Sequence, residues 1–191
     1  MRDLIERRML TEEQGRTLAE AVERGDNILI SGATSSGKTT VLNVLAQFIP
    51  DEDRILILED TAELYIKKPH VISAEAQLDT HKSQIGFADL LKAALRHRPD
   101  RIIVGEIRGA EARVLLDTLN TGHRGSLTTI HANGAEDAIR RLAHLAMRSS
   151  GNVRLQDIED ECRRSIHTVV HIAKDNGHRK VKEIVLSVTT G

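Results

Sequence analysis

From residue 27 onward the chain alternates two patterns. Short runs of consecutive apolar residues are separated by longer segments in which apolar residues recur every three or four positions. The runs are NILIS (27–31), DRILILED (53–60), HVISAE (70–75), RIIVGE (101–106) and SLTTIHA (126–132). Several are too apolar to keep one wet face, which predicts strands of a mostly parallel sheet covered by helices on both sides. The periodic segments predict those helices. In TEEQGRTLAEAVERG, Thr11 precedes Gln14 by three, a capping-box spacing, and Gly25 ends the helix. KTTVLNVLAQFI is stopped by Pro50. FADLLKAALRHR places Phe87, Leu90, Leu91, Ala94 and Leu95 on one face and stops at Pro99. AEARVLLDTLNTG closes on Gly122, and AEDAIRRLAHLAMRS and LQDIEDECRRS follow. The end reads as a β-hairpin, with HTVVHIAK and KVKEIVLSV joined by an Asn176-Gly177 turn. No internal repeat, low-complexity stretch or linker interrupts this order.

The length of 191 residues suits one α/β domain with a sizeable core. Phe48, Tyr65 and Phe87 are the aromatic residues, so Leu, Ile, Val and Ala must build that core. A formal net charge of -1 argues against a dedicated nucleic-acid binder. The short basic clusters Arg96-His97-Arg98 and Arg163-Arg164 lack the interleaved aromatics of a strand-binding groove. The single Cys162 excludes an internal disulfide framework and a Cys-cluster zinc site. No apolar run reaches the length of a membrane span, and MRDLIERRML lacks a hydrophobic signal core. These features predict a cytoplasmic chain whose membrane role, if it has one, runs through protein partners.

Chemistry concentrates at GATSSGKT (32–39), which satisfies G-x-x-x-x-G-K-[ST] at every specified position and lies between a strand and a helix. The turn's N–H groups can wrap a phosphate, and the helix points its positive end at the same place. Gly32, Ala33, Thr34, Ser35, Ser36, Gly37, Lys38, Thr39 and Thr40 are therefore the expected ATP-binding residues. Lys38 would reach the β- and γ-phosphates and Thr39 would ligate Mg²⁺. Such a site needs an acid at the end of another buried strand. ILILEDTAEL offers Glu59, Asp60 and Glu63, and RIIVGE offers Glu106. Each lies where a parallel strand meets the ligand edge, and spacing alone leaves helix capping or surface pairing open. TGHRGSLTTIHANG carries His123 and His131 eight apart across a turn and strand, unlike the one-turn spacing of a helical zinc motif. The residues alone leave structural, acid–base and phosphate-sensing roles open for both.

In order along the chain, GATSSGKTT, ILEDTAEL, RPDRIIVGEIRG, NTGHRGSLTTIHAN and AIRRL resemble the type II/type IV secretion ATPase superfamily. They are most similar to its conjugal-transfer and type IV secretion members, with pilus motors as relatives, over roughly residues 25–186. The resemblance implies a RecA-like P-loop NTPase fold and Mg-ATP hydrolysis coupled to subunit motion. It implies a homo-hexamer at the cytoplasmic face of inner-membrane secretion or pilus machinery. It further implies that Glu63, last in the family's aspartate box, orients the attacking water, and that Glu106 holds Mg²⁺ partly through water. His131 becomes a γ-phosphate sensor, with His123 and Arg108 as sensor or trans contacts. Catalysis would thus rest on Lys38, Glu63, Glu106 and His131. Members carry an N-terminal domain that supplies part of the nucleotide pocket. Here residues 1–24 read as a helical lead-in to a motor domain at 25–191, with that domain absent and little prospect of stacking the base within this chain. Glycine is common in the family where Ser35 stands. The alternatives are a RecA-like nucleic-acid motor and a nucleotide-dependent adaptor with little hydrolysis of its own.

Overall fold

The computed structural model describes residues 1–76, 86–175 and 177–187. Among them the helices are α1 (Arg2–Glu6), α2 (Glu12–Arg24), α3 (Lys38–Leu45), α4 (Phe87–Ala94), α5 (Glu111–Asn120), α6 (Ala135–Met147) and α7 (Leu155–Ser165). The strands are β1 (Ile28–Gly32), β2 (Ile55–Glu59), β3 (Val71–Glu75), β4 (Arg101–Ile107), β5 (Leu127–Ile130), β6 (Thr168–Asp175) and β7 (His178–Leu186). They form one seven-stranded sheet in the order β3-β2-β4-β5-β1-β6-β7. Every pairing is parallel except the β6–β7 hairpin.

The expected α/β architecture is present, and its physical cause is visible in side-chain alternation. On β2, Leu56 and Leu58 face a core with α4, α5, α6 and α7, while Ile55 and Ile57 face a second core with α1, α2 and α3. A strand buried on both faces has no polar positions to spare, which is why its sequence is a continuous apolar run. The capping box at Thr11–Gln14 forms as predicted, and Gly25 closes α2 in the left-handed region. Several boundaries are shorter than the sequence suggests. α3 ends at Leu45 and passes into a single 3-10 turn (Ala46–Phe48) before Pro50. β5 stops at Ile130, so His131 lies just beyond the strand rather than within it. The N-terminal helical stretch is two helices, broken where Arg8 takes φ 55°. The hairpin forms, with Gly177 at φ 81°; Asn176 lies outside the described residues.

The amino-terminal edge of the sheet is tied by one polar knot. Asn27 Oδ1 accepts from Ser126 N at 3.1 Å, and its Nδ2 donates to Ser165 O at 2.8 Å. His167 Nδ1 accepts from Asn27 N at 2.9 Å, which requires an unprotonated nitrogen. Burial correspondingly pulls the His167 pKa below its ordinary 6.5. Between that lowered value and 6.5 the unfolded chain holds more protons than the folded one, so this group's share of stability is full above 6.5 and is lost as pH falls through the folded value. His167→Asn keeps an acceptor near the Nδ1 position and cannot titrate. Its melting temperature is expected to fall less than that of the wild type between about pH 7 and pH 5. Identical acid profiles would place the sensitivity elsewhere.

Candidate active site

The P-loop joins β1 to α3. Gly32 has φ 155°, and a Cβ there would come within 2.4 Å of Ile172 O and 2.6 Å of Ser36 Oγ, so the turn closes only on glycine. Ser35 takes φ 58°, a left-handed conformation that costs an L-residue roughly 1–2 kcal/mol. That is the physical reason glycine suits this position. Gly37 is the N-cap of α3 at φ 101°, and the helix start carries no side-chain cap, which leaves its first amides for an anion. Lys38 is buried against the loop, where Nζ donates to Gly32 O at 3.1 Å and Ala33 O at 3.2 Å. Burial pulls its pKa down, and the nearby Glu106 carboxylate partly opposes that shift.

The acids divide by what they touch. Glu59, at the end of β2 and 4 % exposed, accepts from Glu63 N at 3.0 Å and Leu64 N at 2.9 Å through one oxygen. Its pKa is raised, chiefly by burial, against the pull of those two amides. Glu75 Oε1 accepts from Ala62 N, and Asn43 Oδ1 on α3 accepts from Tyr65 N at 2.9 Å. Loop 60–66 is thus pinned by side chains from β2, β3 and α3, and the pinning delivers Glu63 to the P-loop. Thr39 Oγ1 lies 3.4 Å from Glu63 Oε2. Glu59 therefore positions the loop, and Glu63 is the acid presented at the site.

A bulge sets the other acid. Val104 pairs with Thr128 and Ile107 with Ile130, so Gly105 and Glu106 together oppose Thr129 alone. Thr129 Oγ1 donates to Gly105 O at 2.7 Å and fixes the irregularity. A side chain at position 105 would press on Glu59 Cγ at 3.0 Å, so the bulged glycine lets β4 pass the β2 carboxylate. The bulge turns Glu106 into a chain of polar contacts. Arg108 bridges Glu106 at 2.7 Å and Asp60 at 2.9 Å. His131 Nε2 lies 2.8 Å from Glu106 Oε1, a close contact rather than an aligned hydrogen bond. His131 Nδ1 lies 3.3 Å from Lys38 Nζ. An ammonium can only donate, so Nδ1 is the acceptor and the ring's N–H sits on Nε2, facing Glu106.

The P-loop residues Thr34 to Thr40, Glu63, Glu106, Arg108, Thr129, His131 and Arg179 line one cavity of about 370 Å³. A smaller polar cavity of about 110 Å³ adjoins it, lined by Thr39, Glu59, Asp60, Glu63, Glu106 and Arg108 among others. Among the described residues no three His, Cys, Asp or Glu side chains could hold a metal by themselves. The Thr39 hydroxyl and the carboxylates of Glu63 and Glu106 are nonetheless hard oxygen donors of the kind Mg²⁺ accepts beside phosphates and water.

His123 is not brought to this site. It follows α5 and precedes β5, at the amino-terminal edge of the sheet, whereas His131 follows β5 at the P-loop edge. The four-residue strand alone separates these edges by roughly 13 Å. His171 is buried on β6 with Nδ1 2.9 Å from Ser31 Oγ, a satisfied structural histidine. Burial pushes the Cys162 thiol up to about 12, which leaves it inert. Arg179 was not legible in the sequence as a site residue. The hairpin brings it to the P-loop through the parallel pairing of β1 with β6.

Comparison with known proteins follows the same outline. The family described as Type II/IV secretion system protein matches residues 3–180. The chain is 40% identical over 188 residues to a conjugal transfer protein TrbB of Rhizobium radiobacter, covering 96% of this chain and 55% of that protein. It is 38% identical over 170 residues to the type IV secretion system protein VirB11 of Bartonella henselae, covering 87% of this chain and 48% of that one. The VirB11 ATPase of the Brucella suis type IV secretion system, solved in complex with sulphate, superposes with a TM-score of 0.84 at 30% identity, over 91% of this chain and 52% of that one. The pilus retraction motor PilT with bound ADP superposes at 0.71 with 26% identity, over 92% and 51%. The expected RecA-like P-loop fold is borne out by these superpositions. The chain spans about half the length of the curated relatives it matches.

Proposed function

The chain belongs to the type II/IV secretion system protein family, and on that premise we propose that it is the ATP-hydrolysing motor domain of a secretion, conjugal-transfer or pilus machine. The observation that carries this reading is the contact chain Lys38–His131–Glu106–Arg108 across the mouth of the P-loop. It links the phosphate-binding lysine to the carboxylate at the metal position through a histidine placed to feel both. Phosphoryl transfer is largely positioning and electrostatics, and this arrangement supplies both. Lys38 and the α3 amides hold the phosphates, Thr39 and Glu106 hold Mg²⁺ (Glu106 through water), and Glu63 orients the attacking water. Mg²⁺, when bound, neutralises the charge that develops on the phosphate oxygens. A γ-phosphate entering beside Lys38 competes for the contact His131 now makes, so His131 reports its presence. Arg108, held in cis by Asp60 and Glu106, is released when either acid takes another partner, and His123 serves structure at the far edge rather than the phosphate.

Among the described residues no helix is long and apolar enough to cross a membrane. The working form is a homo-hexamer in the cytoplasm, held at the inner membrane by partner proteins of the machine, with no direct role for nucleic acid. Residues 25–191 are the motor domain and residues 1–24 its helical lead-in. Phosphate release from Mg-ATP by the purified chain tests the proposal. His131→Ala is expected to bind ATP within about threefold of the wild type and to lose about tenfold or more in turnover. Turnover unchanged in that variant removes the sensor, and strong stimulation by DNA or RNA favours a nucleic-acid motor instead.

A further inference from the structure

Among the described residues two carboxylates are buried, Glu59 and Glu111. Glu59 pins the loop that presents Glu63. Glu111, 8 % exposed, lines neither the phosphate cavity nor its polar neighbour. A buried carboxylate needs donors, and here they come from backbone. One oxygen of Glu111 accepts from Arg108 N at 2.5 Å and from Gly109 N at 2.6 Å. These are the first two amides after β4, in the turn that leads into α5. Glu111 opens α5, where the N-cap Ala110 offers no side-chain cap, so its charge also meets the positive end of its own helix.

Both ends of this turn are anchored. Ile107 is still paired with Ile130 of β5, and α5 buries Ala112, Leu115 and Leu116 and is tied to α7 by Arg113 and Glu161 at 2.5 Å. The side chain that the turn carries explains why the anchoring matters. Arg108 reaches Asp60, just past β2, with one nitrogen and Glu106, on β4, with another. Two acids from different strands thus meet on one guanidinium. Glu106 gives Oε2 to Arg108 while its Oε1 faces His131. Yet the Arg108 side chain is 62 % exposed. Exposed ion pairs contribute little once the entropy of holding a long side chain is counted. Such a bridge persists only from a backbone that is already in place, and Glu111 keeps it in place.

We propose that Glu111 is a positioning residue for hydrolysis: by holding the amides of Arg108 and Gly109 it places the Arg108 guanidinium between Asp60 and Glu106, and so orients the carboxylate at the metal position. This role rests on the P-loop reading above and deepens it. Glu59 and Glu111 then do matching work, each a buried acid that spends one oxygen on two neighbouring amides. One sets Glu63 and the other sets Arg108.

Hydrogen exchange by NMR and steady-state turnover of the purified chain test it. Glu111→Ala is expected to speed exchange of the Arg108 and Gly109 amides about tenfold or more, and to cut kcat about tenfold while KM for Mg-ATP stays within about threefold. Glu111→Gln keeps an oxygen for both amides and is expected to return most of both losses. Arg108→Ala is expected to lose turnover to a similar degree. In that background Glu111→Ala should cost less than about a further twofold in kcat, because the side chain it positions is gone. The same further loss in both backgrounds marks a residue that serves the fold alone and overturns the positioning role. Turnover unchanged in Glu111→Ala, or Glu111→Gln as impaired as Glu111→Ala, overturns it too. If Glu111→Ala does not fold at the assay temperature, Glu111→Asp, one methylene short of the turn, takes its place with the same outcomes. The P-loop reading fails separately, if Lys38→Ala turns over like the wild type.

Discussion

Lys38→Ala is expected to abolish Mg-ATP hydrolysis and to weaken ATP binding about a hundredfold. The side chain is buried and already faces the carbonyls of Gly32 and Ala33, so the loop is shaped around a cation before any phosphate arrives. Charge-assisted hydrogen bonds contribute about 1.5–3 kcal/mol each, and two to phosphate oxygens at the low end of that range, about 3 kcal/mol together, account for a loss of that size. The fold should survive. Lys38 opens a helix, alanine is a better helix former, and of the two carbonyls left without the ammonium one belongs to Ala33, an exposed residue that water reaches. Equilibrium binding and phosphate release read the two effects, and a circular-dichroism melt close to that of the wild type confirms that the loss is local. Unchanged affinity and rate would remove the P-loop as the site of action.

The second large effect falls on hydrolysis alone. Glu63→Gln is expected to bind ATP within about threefold of the wild type and to lose about 10²–10⁴-fold in turnover, the range for removal of a positioned base. Glu59→Ala should fall in the same direction for a different reason, since it frees the amides of Glu63 and Leu64 and lets the loop drift. Glu59→Gln separates positioning from charge. Its amide oxygen can still accept both N–H groups, so most of the turnover lost in Glu59→Ala should return. If Glu59→Gln is as impaired as Glu59→Ala, the carboxylate acts through its charge. If Glu63→Gln turns over normally, the water is oriented by another group, and Glu106 is the next to test.

Much of the candidate site was legible because its signals are local. GATSSGKT carries its own turn chemistry, and only glycine fits at Gly32. Thr11 and Gln14 announce a helix start by reaching each other across three residues. What the sequence left open was the division of labour among Glu59, Asp60, Glu63 and Glu106. All four lie at or just beyond the end of a buried strand, and such positions look alike in one dimension. Glu59 turns inward to backbone amides, Asp60 outward to Arg108, and Glu63 reaches the P-loop because its loop is pinned at three points. The paired histidines were misleading for the same reason. Eight positions apart in a motif, they are divided by a strand that runs from one edge of the sheet to the other, so of the two His131 alone stands at the P-loop cavity.

The sequence by itself determined the class of fold and the phosphate-binding turn, because apolar periodicity, capping and glycine geometry act over a few neighbouring residues. Tertiary structure alone decided three things: the bulge that aims Glu106, the contact of His131 with Lys38, and the arrival of Arg179 at the P-loop. Each depends on strand order and register, which bring together residues 90 or more positions apart in some of these contacts. No local preference along the chain encodes such a meeting. It is fixed only when both faces of the sheet are covered and one register satisfies them together.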